Sequence, residues 1–358
     1  CAALEGGIAG LGLSAGSAAI NYAVLNIAEA GNNIVSVPLL YGGTWTLFRH
    51  MLPRQGIEVR FAKSDRAEDL AALIDEKTTA VFCESIGNPA GNIVDLEALA
   101  DMAHDRGVPL IVDNTVATPA LIKPIDWGAD VVVNSLTKYM GGHGNALGGM
   151  IVDGGEFPWK DFPEKFHMLN TPEASYHGVV YTDVFGAAAF AGRARTVALR
   201  NTGAALSPMN AFLILQGMQT LPLRMERHCD NALAVARHLA EHPMVSWVRF
   251  AGLPDSPYFD LAQKYTEGRP SALLTFGIRG GFDAGVKFYD ALQLFLRLVN
   301  IGDTKSLAAH PASTTHRQLS AAELETAGVT PDMIRLCIGI EDIEDIIADL
   351  DQALDAAR

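Results

Sequence analysis

The densest chemical grouping in the sequence is Ser135-Leu136-Thr137-Lys138, which follows the apolar run Asp130–Val133 and precedes Gly141-Gly142-His143-Gly144. A lysine at the carboxyl end of a buried strand, beside two hydroxyls and flexible backbone, is placed to meet an anionic cofactor. Desolvation and neighbouring positive charge lower an ammonium pKa, so such an amine becomes nucleophilic. Spacing alone also allows a surface lysine opening a loop. Upstream, the run Pro109–Val112 ends in Asp113-Asn114-Thr115. A carboxylate buried there wants a cation or several donors, although Asp at a strand end also caps turns and helices. Gly10-Leu11-Gly12-Leu13-Ser14-Ala15-Gly16-Ser17 reads as a glycine-rich turn into an apolar helix, which can aim free N–H groups at a phosphate or serve structure alone. Tyr41-Gly42-Gly43-Thr44 offers a ring to lie against a flat ligand, or a buried tyrosine with a tight turn. Asn88, in Gly87-Asn88-Pro89, can donate to a ligand oxygen or simply occupy a turn.

Arg335 stands inside the apolar run Met333–Ile338, and a guanidinium is almost never buried without an anion. A substrate carboxylate or an acid such as Glu341 would satisfy it. His310 and His316 flank Pro311–Thr315 with no HExxH or carboxylate at ligand spacing, so they read as hydrogen-bonded loop histidines and no metal is expected.

These residues need a scaffold, and the chain offers one. Strands are expected at Ile34–Val37, Ile57–Phe61, Ala80–Glu84, Pro109–Asp113, Asp130–Ser135 and Leu147–Val152. Helices are expected between them at Ser17–Ala30, Thr44–Pro53, Ala67–Asp75 and Asp95–His104. Alternation at this spacing predicts an α/β fold with a mostly parallel sheet covered on both faces and its ligand at the strands' carboxyl ends. A helix-rich spine over Asp183–His242 follows, and then strands at Val245–Phe250, Ala272–Ile278, Leu296–Asn300 and Met333–Ile338 with a closing helix Asp342–Ala357. We therefore expect a large domain over 1–243 and a smaller C-terminal α/β domain over 244–358. Gly155–Gly178, rich in Phe, His, Pro and Tyr, is too long for a plain connection and is expected to border a site or a subunit contact.

The chain has 358 residues, 49% of them hydrophobic and 19% charged, which excludes disordered and low-complexity classes. With 27 Lys+Arg against 41 Asp+Glu the net charge is −14, and no basic cluster exceeds two residues, so nucleic acid is not expected as a partner. No apolar stretch approaches the ~18 residues of a membrane span. Four cysteines without CxxC spacing fit reduced thiols and a cytoplasmic setting. The chain opens on Cys1 in helical-looking sequence, so an upstream segment is expected. A nucleotide-binding module is disfavoured by the missing GxxxxGK[ST] lysine and ribose-binding acid.

Phosphate cradle, ring-stacking tyrosine, acid for a ring nitrogen, amine and carboxylate clamp together describe a pyridoxal 5'-phosphate site. On these residues the whole chain resembles the cysteine/methionine-metabolism family of fold-type I pyridoxal-phosphate enzymes. The matching text is Ser135-Leu136-Thr137-Lys138-Tyr139 with Gly142-His143, Val112-Asp113-Asn114-Thr115, Tyr41-Gly42-Gly43-Thr44, and Arg335-Leu336-Cys337-Ile338-Gly339-Ile340-Glu341. Gly141-Gly142-His143-Gly144, Ser175-Tyr176-His177-Gly178 and Leu221-Pro222-Leu223-Arg224-Met225-Glu226-Arg227-His228 are similar to its sulfhydrylase branch. Gly43 stands where methionine γ-lyases usually carry cysteine, and His143-Gly144-Asn145 where cystathionine γ-synthases and lyases read His-Ser-Asp.

The resemblance implies a seven-stranded-type sheet domain, a transferase activity, and γ-replacement on O-acetyl-L-homoserine by sulfide giving L-homocysteine and acetate. Methionine γ-lyase, O-succinylhomoserine sulfhydrylase and cystathionine γ-synthase activities are its alternatives. It implies Lys138 as Schiff-base lysine and Cα base, Asp113 against the pyridinium nitrogen, and Tyr41 on the ring. Asn88, Gly16, Ser17, Ser135 and Thr137 would also bind the cofactor, and Arg335 with Asn300 the substrate carboxylate. The family's serine-glycine-methionine phosphate turn reads Ala15-Gly16-Ser17 here, so only backbone donation carries over. Active-site-sharing dimers forming a homotetramer are implied, with a tyrosine and an arginine supplied to the neighbour from a segment upstream of this chain.

Overall fold

The computed structural model describes residues 1–314 and 330–358, so His316 lies outside the described residues. The described residues form two compact units. The first comprises Cys1–Gly87, Val94–Gly141 and Asn145–Gln216, and the second Asn88–Ile93, Gly142–Gly144 and Gly217–Arg358.

The first unit is built on seven strands, β1 (Ala9–Leu13), β2 (Asn33–Ser36), β3 (Glu58–Phe61), β4 (Thr78–Glu84), β5 (Leu110–Asp113), β6 (Val131–Asn134) and β7 (Gly149–Asp153), in the order β1-β7-β6-β5-β4-β2-β3. The five strands from β6 to β3 are parallel, whereas β7 runs antiparallel to both β6 and β1. Every residue of β2, β4, β5 and β6 is buried, as expected of parallel strands sheltered on both faces, and edge strand β3 is partly exposed. The helix Leu96–His104 begins where the Asp95 side chain accepts from the Ala98 N–H, and it buries Leu96, Leu99, Ala100 and Ala103 at helical spacing.

Two expectations change. Gly10–Leu13 is not a turn but part of edge strand β1, pairing with β7; only Ala15 onward forms the helix entrance. The helix expected over Thr44–Pro53 is a short α-helix, Gly42–Thr46, that widens into a π turn over Leu47–Met51. The Gly155–Gly178 stretch is anchored by aromatic packing. Trp159 lies 4.5 Å from Phe157 and 5.0 Å from Phe166 between ring centroids, and it stacks on Phe190 at 5.7 Å.

The second unit carries five strands, β8 (Val245–Arg249), β9 (Leu273–Ile278), β10 (Leu296–Arg297), β11 (Leu307–Ala309) and β12 (Met333–Cys337), ordered β10-β11-β12-β9-β8. All neighbours are antiparallel except β10 and β11. The helices Leu221–Glu241 and Ile343–Ala356 belong to this unit, the latter capped by the Asp342 carboxylate accepting from the Glu344 N–H at 2.9 Å. The strand expected over Leu296–Asn300 stops at Arg297, and β11 was not anticipated.

Candidate active site

At the carboxyl ends of β4, β5 and β6 the register aligns Glu84 with Asp113 and Asp113 with Val133, so the segments that follow emerge side by side. Asp113 is 9% exposed and its Oδ1 accepts from the Thr115 N–H at 2.9 Å. Desolvation outweighs the help of Thr115 and pushes the carboxyl up to about 6. The Thr115 hydroxyl accepts from the Ser135 N–H at 2.8 Å, tying the loop after β6 to the loop after β5.

Lys138 sits in that second loop. The turn is closed by its own N–H to the Ser135 carbonyl at 3.1 Å and by Gly141 N–H to the Leu136 carbonyl at 2.9 Å. Leu136, Tyr139 and Met140 are buried on either side of it, so the backbone carrying the half-buried lysine is pinned by apolar anchors. The Thr137 hydroxyl exchanges hydrogen bonds with the backbone of Gly148, at 3.1 Å from its N–H and 3.2 Å to its carbonyl.

The helix Gly16–Leu25 points its start at the same loop. Ala15 is extended and provides no side-chain cap, so the first-turn N–H groups are left to other acceptors. A Cβ on Gly16 would come within 2.6 Å of Ser135 Cβ, and one on Gly149 within 2.0 Å of the Ala15 carbonyl oxygen. These two glycines let the helix start press against both β7 and Ser135. Ser17 is exposed beside Gly16.

Tyr41 precedes the helix Gly42–Thr46 and is 47% exposed, with its N–H donating to Glu84 Oε1 at 2.6 Å. Its ring closes over Gly43, where an added Cβ would meet Cε1 at 2.5 Å. Any side chain at position 43 would therefore move the ring. Glu84, which seats this loop, carried no signal in the sequence beyond ending a strand.

The second unit holds Arg335, Asn300 and Asn88. Arg335 is 8% exposed on β12. Its Nη1 donates to Asn88 Oδ1 at 3.2 Å, and its Nη2 donates to the carbonyls of Val299 and Asn300. Glu341, the acid the sequence offered as its partner, instead accepts from the Ser306 N–H at 2.6 Å and hydroxyl at 2.9 Å. These oxygens help orient the guanidinium. In the same unit His310 is held by Ser313 at 2.8 Å and the Pro331 carbonyl at 2.9 Å.

Sequence reasoning passed over Glu5. It is fully buried at the end of the helix Ala2–Glu5, where burial pushes its carboxyl up to about 7 against the donors Asn134 and Asn114. Helical sequence near the start of the chain gave no hint of a buried acid.

The family model for Cys/Met metabolism PLP-dependent enzymes matches residues 1–355. The chain belongs to this family. The Cys/Met-metabolism chain is 52% identical over 355 residues to O-acetyl-L-homoserine sulfhydrylase 1 of Thermus thermophilus, spanning 99% of this chain and 84% of that protein. It is 50% identical over 357 residues to homocysteine synthase of Schizosaccharomyces pombe, with 99% and 83% covered. A Campylobacter jejuni structure containing N'-pyridoxyl-lysine-5'-monophosphate superposes with a TM-score of 0.94 at 41% identity, over 99% of this chain and 84% of that one.

The residues fit the family's cofactor. The uncapped helix start, held against Ser135 at a distance no Cβ would permit, leaves first-turn N–H groups of the kind a phosphate accepts from. A carboxyl raised to about 6 by burial is matched to a partner that carries a proton on nitrogen.

Proposed function

We propose that this chain is an O-acetyl-L-homoserine sulfhydrylase, exchanging the acetate at Cγ of O-acetyl-L-homoserine for hydrosulfide to give L-homocysteine. The observation that carries the reading is the pairing of Asp113 and the Lys138 turn at adjacent strand ends, tied through Thr115, in a chain 52% identical to a protein of that name.

Bound pyridoxal phosphate supplies an electron-accepting ring conjugated to the substrate nitrogen. The chain's residues do the positioning. Gly16 and Ser17 donate backbone N–H groups to the phosphate, joined by Ser135, while the Thr137 hydroxyl, engaged with Gly148, also shapes the loop. Asp113 holds a proton at the ring nitrogen, and Tyr41 covers the ring face. Asn88 acts through its amide. Lys138 Nζ would hold the cofactor and would serve as the base that takes the proton from Cα. Loss of a Cβ proton then frees acetate from Cγ, and hydrosulfide bonds to that carbon before the protons return. Arg335 binds the α-carboxylate, held in place in part by the Asn300 carbonyl.

The domain boundary proposed at 243/244 follows the helix Leu221–Glu241, which by its own packing goes with the second compact unit. A homotetramer of active-site-sharing dimers is supported by exposed apolar Met209, Phe212 and Leu215 at 64%, 56% and 59% on the helix Pro208–Met218. Free cysteines, three of them buried, fit a cytoplasmic setting, and among the described residues no helix is long and apolar enough to cross a membrane.

Product analysis tests the reading. With sulfide, O-acetyl-L-homoserine is expected to yield homocysteine and acetate faster than O-succinyl-L-homoserine does, and methionine alone should yield no thiol. Preferential turnover of the succinyl ester, of methionine, or of cysteine to cystathionine would overturn it.

A further inference from the structure

At the residues that follow Asp113 and precede Ser135 lies a buried polar cluster that no step of the reaction uses. Glu5 is 0% exposed, Asn114 0% and Asn134 1%. Glu5 Oε1 accepts from Asn134 Nδ2 at 2.7 Å, and both carboxylate oxygens accept from Asn114 Nδ2, at 3.2 and 3.1 Å. Asn114 Nδ2 also donates to the Ile122 carbonyl at 2.8 Å, while its Oδ1 accepts from the Ser85 hydroxyl at 2.8 Å. Ser85 in turn donates its N–H to the Asp113 carbonyl at 3.0 Å. One acid thus reaches the residue after Asp113, the residue before Ser135, and, through Asn114, the residue after Glu84.

A carboxylate in this place is costly, since no arginine or lysine forms an ion pair with it among the described residues and a neutral side chain would be cheaper to bury. What it adds is a pair of oxygens that both accept here, Oε1 from Asn134 and Asn114 and Oε2 from Asn114. Both amides must turn their N–H groups toward it, which aims Asn114 Oδ1 at Ser85 and leaves Asn134 Oδ1 buried without a hydrogen-bond partner. An amide in its place would turn one of these acceptors into a donor. Rigid support behind a catalytic loop is how small placement errors at the reacting atoms are avoided.

We propose that Glu5 is a positioning residue: its two accepting oxygens fix the amide orientations of Asn114 and Asn134 and thereby the placement of Asp113 and Ser135 against the cofactor. This rests on the pyridoxal-phosphate reading of the site.

The test is Glu5→Gln, with three readouts: cofactor affinity of the apoprotein, the visible absorption of the reconstituted holoenzyme across pH, and thermal melting of the apoprotein. Losing an acceptor shared by both loops is expected to weaken cofactor binding about tenfold or more and to shift the pH titration of the visible band. Combining Glu5→Gln with Asn134→Asp, which restores a carboxylate–amide pair with the roles exchanged, should recover part of the affinity. If Glu5→Gln does not fold, Asn134→Ala removes one donor while leaving the acid in place and should change both cofactor readouts in the same direction. A variant that melts earlier yet binds the cofactor with wild-type affinity and an unchanged band would reduce Glu5 to a structural residue and overturn the proposal. A wild-type protein that binds no pyridoxal phosphate would overturn the cofactor reading itself, and this inference with it.

Discussion

Arg335 shows how much a single side chain's surroundings determine its use. Arg335 donates to the carbonyls of Val299 and Asn300 and to Asn88 Oδ1, which orient its guanidinium. Replacing it with alanine should therefore raise the apparent KM for the amino-acid substrate by about 10- to 100-fold, with a smaller effect on kcat, as expected for loss of a charge-assisted pair. Steady-state kinetics on Arg335→Ala would check this, and an unchanged KM would remove Arg335 from the carboxylate site. Arg335 was legible in the sequence because a charge inside an apolar strand is conspicuous. Glu5 and Glu84 were not. Each follows ordinary local patterning, and only the fold brings Glu5 under two asparagines more than a hundred residues away.

Elements do their positioning through glycine. The helix Gly16–Leu25 can present its first turn beside Ser135 only because position 16 has no Cβ. Alanine is the better helix former by about 1 kcal/mol, but at Gly16 its methyl would sit 2.6 Å from Ser135 Cβ and 2.9 Å from Ser135 Cα, and backbone cannot swing aside as a flexible side chain can. Gly16→Ala is expected to weaken pyridoxal-phosphate binding by more than tenfold. Fluorescence titration of the apoprotein measures it, and wild-type affinity would show that the helix start does not hold the phosphate. The parallel strands β2, β4, β5 and β6 were readable because their burial on both faces leaves continuous apolar runs. β1 was not, since two of its five residues are glycine and its partner β7 lies some 140 residues on. β11, at three residues, is too short to show a period.

At the scale of the whole molecule, buried titratable groups set how stability responds to pH. His228 is fully buried on the helix Leu221–Glu241, its Nδ1–H donates to the Ile338 carbonyl at 2.6 Å, and burial pulls its pKa down to about 4. In the unfolded chain it titrates near ~6.5. The unfolded state thus takes up a proton that the folded state refuses, so the neutral His228 favours folding fully above ~6.5 and that advantage is lost as pH falls toward 4. Asp153, raised to about 6 by burial, works in the opposite direction. The His228 contribution is isolated by comparison with His228→Asn, which retains an N–H donor. Between pH 7.5 and 5 the wild type should lose about 2 kcal/mol relative to the variant in urea unfolding. Parallel pH profiles would contradict this assignment. Composition, the α/β class and the order of the site motifs were readable at this scale. The antiparallel turn-back of β7 was not, because register between distant strands leaves no local mark.

The most direct test of the account is chemical. Freshly purified protein, reduced with borohydride, digested and analysed by mass spectrometry, should carry a pyridoxyl-phosphate adduct on the peptide containing Ser135-Leu136-Thr137-Lys138, with Lys138 as the modified residue. An unmodified Lys138, or the adduct on a different lysine, would contradict it.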